Sequence, residues 1–410
     1  MRISVLSIFP ESFDSFRKTA VVSRAADRGD LVFDCVDIRD YAEGSYRAVD
    51  DSPYGGGPGM VMRVDTVSKA ISSVRTVKSH VVLLSPKGRV YDQKAAHRFA
   101  SLEHLVLVCG HYEGFDERVR DYVDEEISIG DFILTGGEIA AQVICDSVLR
   151  LLPKSLRQGS AEDESFETGL LEYPHYTHPF EFEGKSVPDV LLSGNTSEIN
   201  VWRQKQAIIE TIKYRPDLFD RMAGQGIGLS GAKLLFFRDS VLKIEKISDQ
   251  SRREVLTMRW LEGKLPVPKV LYHEEKDGYS YLLMSRLKGR MLCDPVILHN
   301  RNRLMKSAAA ALRMLWEVDI SDCPFLSEGE GVLNPVLSHG DCCLPNILAD
   351  NKGITGFLDL GFCSVADRQR DIDTCIESLE ANLTGRFSDG ISETPLDRGA
   401  FLELLGLHSC

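Results

Sequence analysis

The segment of residues 105–138 constrains the fold of this chain more than any other. It begins with an apolar run at 105–109 that predicts a buried strand of a parallel sheet. Gly110 and Gly114 follow, an acidic, helix-compatible segment spans 115–126, and a second run containing glycines occupies 129–137. This succession is typical of α/β proteins, in which glycine turns let the backbone approach a ligand at the carboxyl ends of strands. The glycines are too few and wrongly spaced for a dinucleotide-binding or P-loop motif.

Three motifs in this segment resemble one enzyme family. They are CGHYEG at 109–114, DER at 116–118 and SIGDFILTGGE at 128–138. Together they resemble the bacterial TrmD family, tRNA methyltransferases that act on guanosine at position 37, next to the anticodon. The resemblance implies a SPOUT-type domain whose chain is threaded through a trefoil knot that holds S-adenosylmethionine. Because knots are very rare, this knot follows from the resemblance alone.

The same resemblance extends from residue 1 to about residue 221. It includes RAVDDSPYGGGPGM at 47–60, LLEYPHYTHP at 170–179 and VLLSGNTSEINVWR at 190–203. It implies that the methyl donor is bound largely by backbone. The implied cofactor-binding residues are Leu84, Ser85, Pro86, Gly110, Ile129, Gly130, Asp131, Phe132, Ile133, Leu134, Gly136 and Gly137.

Methyl transfer to N1 of guanine requires a group that takes the N1 proton, and charge then collects on O6. In the family, an aspartate in a linker takes the proton and an arginine supports O6. Arg150, near the end of a predicted helix at 139–152, matches the arginine, and Glu164 aligns with the aspartate but is one methylene longer. Asp163 remains an alternative base. Glu113 is expected to be a buried carboxylate that fixes the guanine edge, and His111 is open between a functional and a backbone contact.

The second half of the chain carries a different set of residues. A predicted hairpin places Lys243 among apolar neighbours, a predicted helix carries Glu254, and SHGDCCLPN at 338–346 precedes GFLDLG at 356–361. This half, about 228–406, resembles aminoglycoside 3′-phosphotransferases, which have a protein-kinase-like fold. The resemblance implies a Lys243–Glu254 ion pair that holds nucleotide phosphates, Asp341 as the residue that orients the acceptor hydroxyl, and Asn346 and Asp359 as magnesium ligands. The expected ligand is Mg-ATP or Mg-GTP.

Two departures from the phosphotransferase pattern concern the acceptor side. Only about a dozen residues separate DISDCP at 319–324 from the HGD motif, and the chain stops at residue 410 where the family continues with another helix. We therefore expect the nucleotide-binding residues to be kept and the aminoglycoside pocket to be reduced. Three hypotheses remain: a working methyltransferase, a small-molecule kinase on a methyltransferase scaffold, and a nucleotide sensor that controls the first half.

The predicted fold class is α/β: a trefoil-knotted methyltransferase domain with a helical C-terminal tRNA-binding domain, fused to an α+β kinase-like domain. The predicted boundaries are 1–158 for the methyltransferase, 159–170 for a mobile catalytic linker, 171–222 for the helical domain, 223–232 for a junction and 233–410 for the kinase-like domain. A length of 410 residues suits two or three domains.

Composition limits the partners and the compartment. The net charge of −13 argues against a general nucleic-acid coat. A tRNA-binding protein with this charge must concentrate basic residues locally, for which Arg203, Lys205, Lys213 and Arg215 are candidates. No window suits a membrane span, the N-terminus has no cleavage site, and the ten cysteines form no CxxC pair. We expect a cytoplasmic protein with reduced thiols, and the TrmD resemblance implies a homodimer.

Overall fold

The computed structural model describes residues 1–153, 164–222, 226–227, 231–325, 335–384 and 396–407. The chain divides into two compact units, Met1–Glu172 and Tyr173–Cys410. The division between the units falls two residues beyond residue 170, the predicted end of the linker. The further predicted division at 223–232 stays a prediction. Among the described residues, no helix is both long and apolar enough to cross a membrane.

The first unit is built on a five-stranded parallel sheet. The strands are β1 (Arg2–Ser7), β2 (Val32–Asp37), β3 (Ser79–Val90), β4 (His104–Val108) and β5 (Glu125–Ser128). Their spatial order is β2, β1, β4, β3 and β5, and every neighbouring pair is parallel. The main helices are α1 (Ala20–Asp27), α2 (Val64–Val74), α3 (Gln93–Ala100) and α4 (Glu138–Leu149).

Strand β4 confirms the predicted buried strand, because all its residues are buried. Its alternate side chains reach opposite faces of the sheet. Leu105 and Leu107 join a core that includes Ile144 of α4, whereas Val106 and Val108 join a core that includes Ile71 of α2. A parallel sheet covered on both faces explains why the run is apolar without alternation. The helix predicted to carry Arg150 is also confirmed, since α4 ends at Leu149 and Arg150 caps it.

The helix predicted at 115–126 is wrong in extent and type. The structure has a 3₁₀ helix at Glu117–Tyr122, and β5 begins shortly after it at Glu125. Val119 is its only buried residue, so this segment lacks the apolar stripe that stabilises a longer α-helix against a core. Glu125 and Glu126 instead pair with Val82 and Leu83 of β3.

The second unit contains a short antiparallel pair, Glu181–Phe182 with Lys185–Ser186, then a helical segment and then an antiparallel sheet. The helical segment contains α5 (Thr196–Tyr214) and a short helix at Asp217–Asp220. The sheet contains β6 (Lys233–Phe236), β7 (Ser240–Lys246), β8 (Val270–Lys276) and β9 (Tyr279–Ser285), and helix α6 (Asp249–Leu261) connects β7 to β8. The spatial order is Gly226–Ile227, β6, β7, β9 and β8, and the antiparallel pairing of β6 with β7 confirms the predicted hairpin.

The rest of the second unit is mainly helical, with short strands near its candidate site. Its elements are α7 (Arg301–Trp316), β10 (Pro335–Ser338), β11 (Ile347–Ala349), β12 (Ile354–Phe357), β13 (Ser364–Asp367), α8 (Gln369–Leu383) and α9 (Arg398–Leu404). The predicted buried helix is confirmed by α7, whose Leu304, Ala308, Leu312 and Leu315 are fully buried.

The end of the helical segment packs on the antiparallel sheet. The Phe219 ring lies 6.2 Å from the Tyr281 ring of β9, and Lys233 Nζ donates to the Phe219 carbonyl at 2.5 Å. Tyr281 pairs with Ile244 of β7, the residue after Lys243. Because side chains alternate along a strand, the helical segment covers the sheet face opposite Lys243.

Candidate active site

A cavity of about 400 Å³ lies at the carboxyl ends of β4 and β5 and beside residues 83–87 of β3. All the predicted cofactor-binding residues line it except Asp131, which is exposed beside it. Glu113 and His111 also line it. In open α/β sheets ligands bind at this edge, so the strand order alone accounts for the position of the cavity.

Two loops meet at this cavity with their backbones in direct contact. Gly137 donates its N–H to the Gly110 carbonyl at 2.8 Å, and His111 forms a bridge with Gly136. A Cβ on Gly137 would lie 2.8 Å from Cys109 Cα and 2.9 Å from Gly110 N. Such distances exclude a side chain at Gly137 unless the backbone moves. The cavity wall where the two loops meet is therefore backbone, which suits the predicted donor site, while the knot itself stays a prediction.

Glu113 differs from its predicted environment. The sequence predicts a buried carboxylate, but the side chain is exposed. The glycine-rich loop at 50–60 lies directly against it, since a Cβ on Gly59 would be 2.5 Å from Glu113 Oε1. The Glu113 N–H also donates to the Met60 carbonyl at 2.9 Å. This open loop covers the Glu113 side chain only in part, which is why the side chain is exposed. Glu113 still lies at the cavity, where a nucleobase could reach it.

His111 lies between the two loops. Its ring contacts the Phe9 and Tyr112 rings edge-on, each at a centroid distance of 5.0 Å. Among the described residues, its buried Nδ1 atom has no hydrogen-bond partner. His111 thus keeps one buried polar atom without a partner in the described part of the chain, and its role stays open.

Arg150 and Glu164 are brought together as an ion pair. Arg150 Nη2 lies 2.6 Å from both carboxylate oxygens of Glu164, and both side chains are partly exposed. The structure thus joins the residue that the resemblance implies as the acceptor of the N1 proton, Glu164, and the residue that it implies as the support of guanine O6, Arg150. Asp163, the alternative base, lies outside the described residues.

Two carboxylates near this site escaped sequence reasoning. Glu138 accepts a hydrogen bond from Ser7 Oγ at 2.6 Å, and Glu167 accepts from Gln93 Nε2 at 2.7 Å and pairs with His97 Nε2 at 2.8 Å. Their partners are distant in sequence, so no local pattern marks them. Glu138 at least belongs to the recognised SIGDFILTGGE motif, whereas no comparable signal points to Glu167.

The second unit holds a larger cavity of about 1160 Å³. It is lined by the residues predicted for nucleotide binding, for metal binding and for orienting the acceptor hydroxyl, namely Lys243, Glu254, Asn346, Asp359 and Asp341. The predicted ion pair is present, because Lys243 Nζ donates to Glu254 Oε2 at 2.7 Å. Lys243 Nζ also lies 3.2 Å from Asp359 Oδ1 and 3.4 Å from Glu245 Oε1.

One ammonium group therefore faces three carboxylates. Burial raises the pKa of Glu254 to about 7, against the lowering effect of Lys243. Burial alone would lower the pKa of Lys243, but Glu254, Asp359 and Glu245 raise it above its ordinary value. One ammonium beside three carboxylates leaves this cluster with an excess of negative charge, which a divalent cation would offset.

The fit of a magnesium ion rests on few protein ligands. Within the part of the chain that the structure describes, no group of three or more His, Cys, Asp or Glu side chains could hold a metal. Magnesium in nucleotide sites is commonly held by one or two carboxylates together with phosphates. Asn346 and Asp359 suit that arrangement. Asp359 also adopts φ 56°, a left-handed conformation that is strained for a non-glycine residue and that clusters at functional sites.

The Asp341 side chain is fixed by residues that follow it in sequence. Asn346 Nδ2 donates to Asp341 Oδ2 at 3.1 Å, and Cys343 Sγ donates to Asp341 Oδ1 at 2.9 Å. Burial raises the pKa of the Cys343 thiol to about 12, and the bond to Asp341 acts in the same direction, so the thiol stays protonated. Asp371 of α8, missed by sequence reasoning, accepts bonds from Ser338 Oγ and from the Gly340 N–H.

The fold and the first site define an α/β methyltransferase in the first unit, and the second unit has a kinase-like fold. Residues 1–221 match the sequence model of the family described as tRNA (Guanine-1)-methyltransferase TrmD, and the chain belongs to that family. Residues 236–334 and 330–404 match the family described as Phosphotransferase enzyme family.

Individual relatives agree with the first match. A tRNA (guanine-N(1)-)-methyltransferase of Mycoplasma mycoides is 47% identical over 221 residues, which cover 54% of this chain and 92% of the relative. The enzyme of the same name from Malacoplasma penetrans is 50% identical over 219 residues, covering 53% and 97%. That of Listeria innocua is 48% identical over 224 residues, covering 53% and 91%.

Proposed function

We propose that this protein transfers a methyl group from S-adenosylmethionine to N1 of guanosine at position 37 of tRNA. Family membership supports the reaction and the donor. The Arg150–Glu164 pair is the observation that carries the mechanism, because it supplies a proton acceptor and a cation at one place. The backbone-lined cavity supplies a site for the donor. S-adenosylmethionine, when bound, supplies an electrophilic methyl group.

The ion pair suggests how the proton and the charge move. Glu164 accepts the N1 proton and thereby loses its charge, so its attraction to Arg150 weakens at that moment. Negative charge then collects on guanine O6, where Arg150 donates a hydrogen bond instead. Arg150 thus exchanges the Glu164 carboxylate for guanine O6. Glu113, which lines the cavity, accepts a hydrogen bond from the guanine edge.

The test is single-turnover methylation of a tRNA that carries guanosine 37, read as a primer-extension stop at that position. Glu164→Gln and Arg150→Ala should each lower the rate by about two to four orders of magnitude, as expected for general acid–base catalysis. The affinity for tRNA should change little. Asp163→Asn is the matched control and should be mild. A stop at another position would contradict the proposed substrate, and a strong effect of Asp163→Asn with a weak effect of Glu164→Gln would move the base to Asp163.

A second copy of this chain is the proposed partner in assembly. Phe132, Ile133, Ile139 and Val143 are large apolar residues that are exposed in the single chain. Ile139 and Val143 lie one turn apart on α4, the helix that Arg150 caps. Exposed apolar groups of this kind mark interaction sites, and a homodimer would cover them next to the active site.

The proposed tRNA contact lies in the helical segment of the second unit. The Arg203 guanidinium lies over the Tyr173 ring at 4.9 Å, and the Trp202 and Tyr176 rings are 6.3 Å apart. Arginine and aromatic side chains together suit stacked bases and phosphates. Lys213 and Arg215 are already paired with Glu210 and Asp217, so they are weaker candidates than the sequence suggests.

For the kinase-like segment we propose magnesium–nucleotide binding without efficient phosphorylation of aminoglycosides. The carboxylate-rich cluster around Lys243 supports the metal requirement. An acceptor such as kanamycin is polycationic and needs several carboxylates on a rigid surface. The shortened sequence before the HGD motif reduces that surface.

A further inference from the structure

The Glu167 side chain connects the segment after Glu164 to the body of the first unit. One Glu167 oxygen accepts from Gln93 Nε2 at 2.7 Å, and the other lies 2.8 Å from His97 Nε2. Gln93 and His97 are one turn apart on α3, so a single carboxylate spans two neighbouring side chains of one helix. The Glu167 side chain is only 15% exposed, which distinguishes this contact from a loose surface pair.

The backbone around Glu167 forms a closed turn. The Glu167 N–H donates to the Glu164 carbonyl at 3.2 Å, and the Phe166 N–H donates to the Leu170 carbonyl at 2.7 Å. Phe166 adopts φ 76°, which is unfavourable for a residue with a side chain. Strain of this kind persists only where the surroundings fix the conformation. The turn therefore transmits the position of Glu167 to Glu164.

The helix that anchors Glu167 belongs to the frame of the candidate active site. Helix α3 follows β3, whose Ser85 and Pro86 line the cavity. Between them, Tyr91 hydroxyl and Ser147 Oγ lie 2.7 Å apart, which ties this corner to α4. Arg150 follows Ser147 by one turn. Glu164 is thus held on one side by Arg150 and on the other through Glu167.

We propose that Glu167 is a positioning residue that fixes the Glu164 carboxylate for proton transfer, an inference that rests on the proposed methyltransferase function. A displacement of about 1 Å at a reacting group can cost about 100-fold in rate. Loss of the Glu167 anchor leaves the Arg150 pair as the side-chain restraint on Glu164. That pair must break during the reaction, so Glu167 provides the restraint that persists.

The test measures single-turnover methylation at saturating tRNA and S-adenosylmethionine, using the full chain. Glu167→Ala should lower the rate by about 10- to 100-fold, with unchanged dissociation constants for tRNA and S-adenosylmethionine. Glu167→Gln keeps an oxygen and an N–H for the two partners and should recover most of the rate. Glu103→Ala removes an exposed glutamate paired with Lys78 and should match the wild type.

A double-mutant comparison separates the anchor from a general loss of structure. Gln93→Ala combined with His97→Ala should reproduce the loss seen for Glu167→Ala, and adding Glu167→Ala should cause little further loss, since the three side chains act as one unit. A Glu167→Ala rate equal to wild type, or a loss explained by weaker tRNA binding, would overturn the inference. A wild-type protein that leaves guanosine 37 unmethylated would instead overturn the proposed function.

Discussion

The buried charge cluster around Lys243 gives the sharpest prediction for the second unit. Lys243 and Glu254 are 7% and 2% exposed, and Lys243 Nζ is within 4.0 Å of three carboxylates. Lys243→Met removes the one cation of the cluster. Breaking a buried pair by removing one partner costs about 3–5 kcal/mol, because a charge is left without compensation. For a unit of this size each kcal/mol lowers Tm by about 2–4 °C, so the expected fall is about 6–20 °C.

The double variant Lys243→Met/Glu254→Gln distinguishes this reasoning from a simple packing loss. Replacing the uncompensated carboxylate by an amide should recover more than half of the lost stability. Thermal unfolding followed by calorimetry measures both variants, with the transition of the second unit assigned from the variants themselves. A double variant as unstable as Lys243→Met, or a single variant within about 1 kcal/mol of wild type, would refute the electrostatic account.

The pH dependence follows from the same pair. Burial raises the pKa of Glu254 to about 7 from an ordinary value of 4.5. Between these values the folded state holds a proton that the unfolded state has lost. The stability contribution of Glu254 is therefore complete below pH 4.5 and declines as the pH rises through 7, by about 3 kcal/mol at 1.36 kcal/mol per pH unit. Glu254→Gln should flatten this part of the stability–pH curve, and an unchanged slope would show that another group causes it.

Two further predictions concern the ligands. Gly136→Val should abolish S-adenosylmethionine binding and keep the fold, because its Cβ meets the ends of the Glu138 and His111 side chains. Gly137→Ala should also destabilise the first unit, because its Cβ meets backbone. Calorimetry measures the affinity and thermal unfolding measures the stability, and unchanged affinity in Gly136→Val would contradict the donor site. Asp359→Ala should abolish ATP or GTP binding in the presence of magnesium, with kanamycin and neomycin phosphorylated weakly or not at all. Phosphorylation at about 1–100 per second would indicate an ordinary kinase.

The sequence predicts most of the local structure because the signals there are local. The apolar run that became β4, the helix that Arg150 caps and the buried face of α7 each follow from residues within about 15 positions of one another. The prediction of a helix at 115–126 was wrong. The composition of this segment permits a helix, but only Val119 is buried, and the pairing of Glu125 and Glu126 with β3 decides its structure.

The candidate sites show the same difference between what local sequence signals predict and what tertiary packing decides. Family motifs identify the residues of both cavities, but they give neither the exposure of Glu113 nor the third carboxylate beside Lys243. The Glu167 anchor joins residues 70 and 74 positions apart, and the Ser7–Glu138 bond joins residues 131 apart. Contacts of this kind depend on tertiary packing, which no local spacing encodes.

We propose that the additional methylene of Glu164 makes such an anchor necessary in this chain. A glutamate has one more rotatable bond than the aspartate that the TrmD resemblance implies at this position, and fixing a long side chain costs up to about 2 kcal/mol of entropy. An unrestrained carboxylate would spend much of its time away from the N1 proton. Here Arg150 holds both oxygens at 2.6 Å, and Glu167, three residues later, is fixed to α3. Glu164→Asp tests this account. The shorter carboxylate should lose its contact with Arg150, so the variant should methylate tRNA more slowly, although the turn and its Glu167 anchor remain. A faster Glu164→Asp variant would show that the turn already compensates for length and that the methylene is a burden to the reaction.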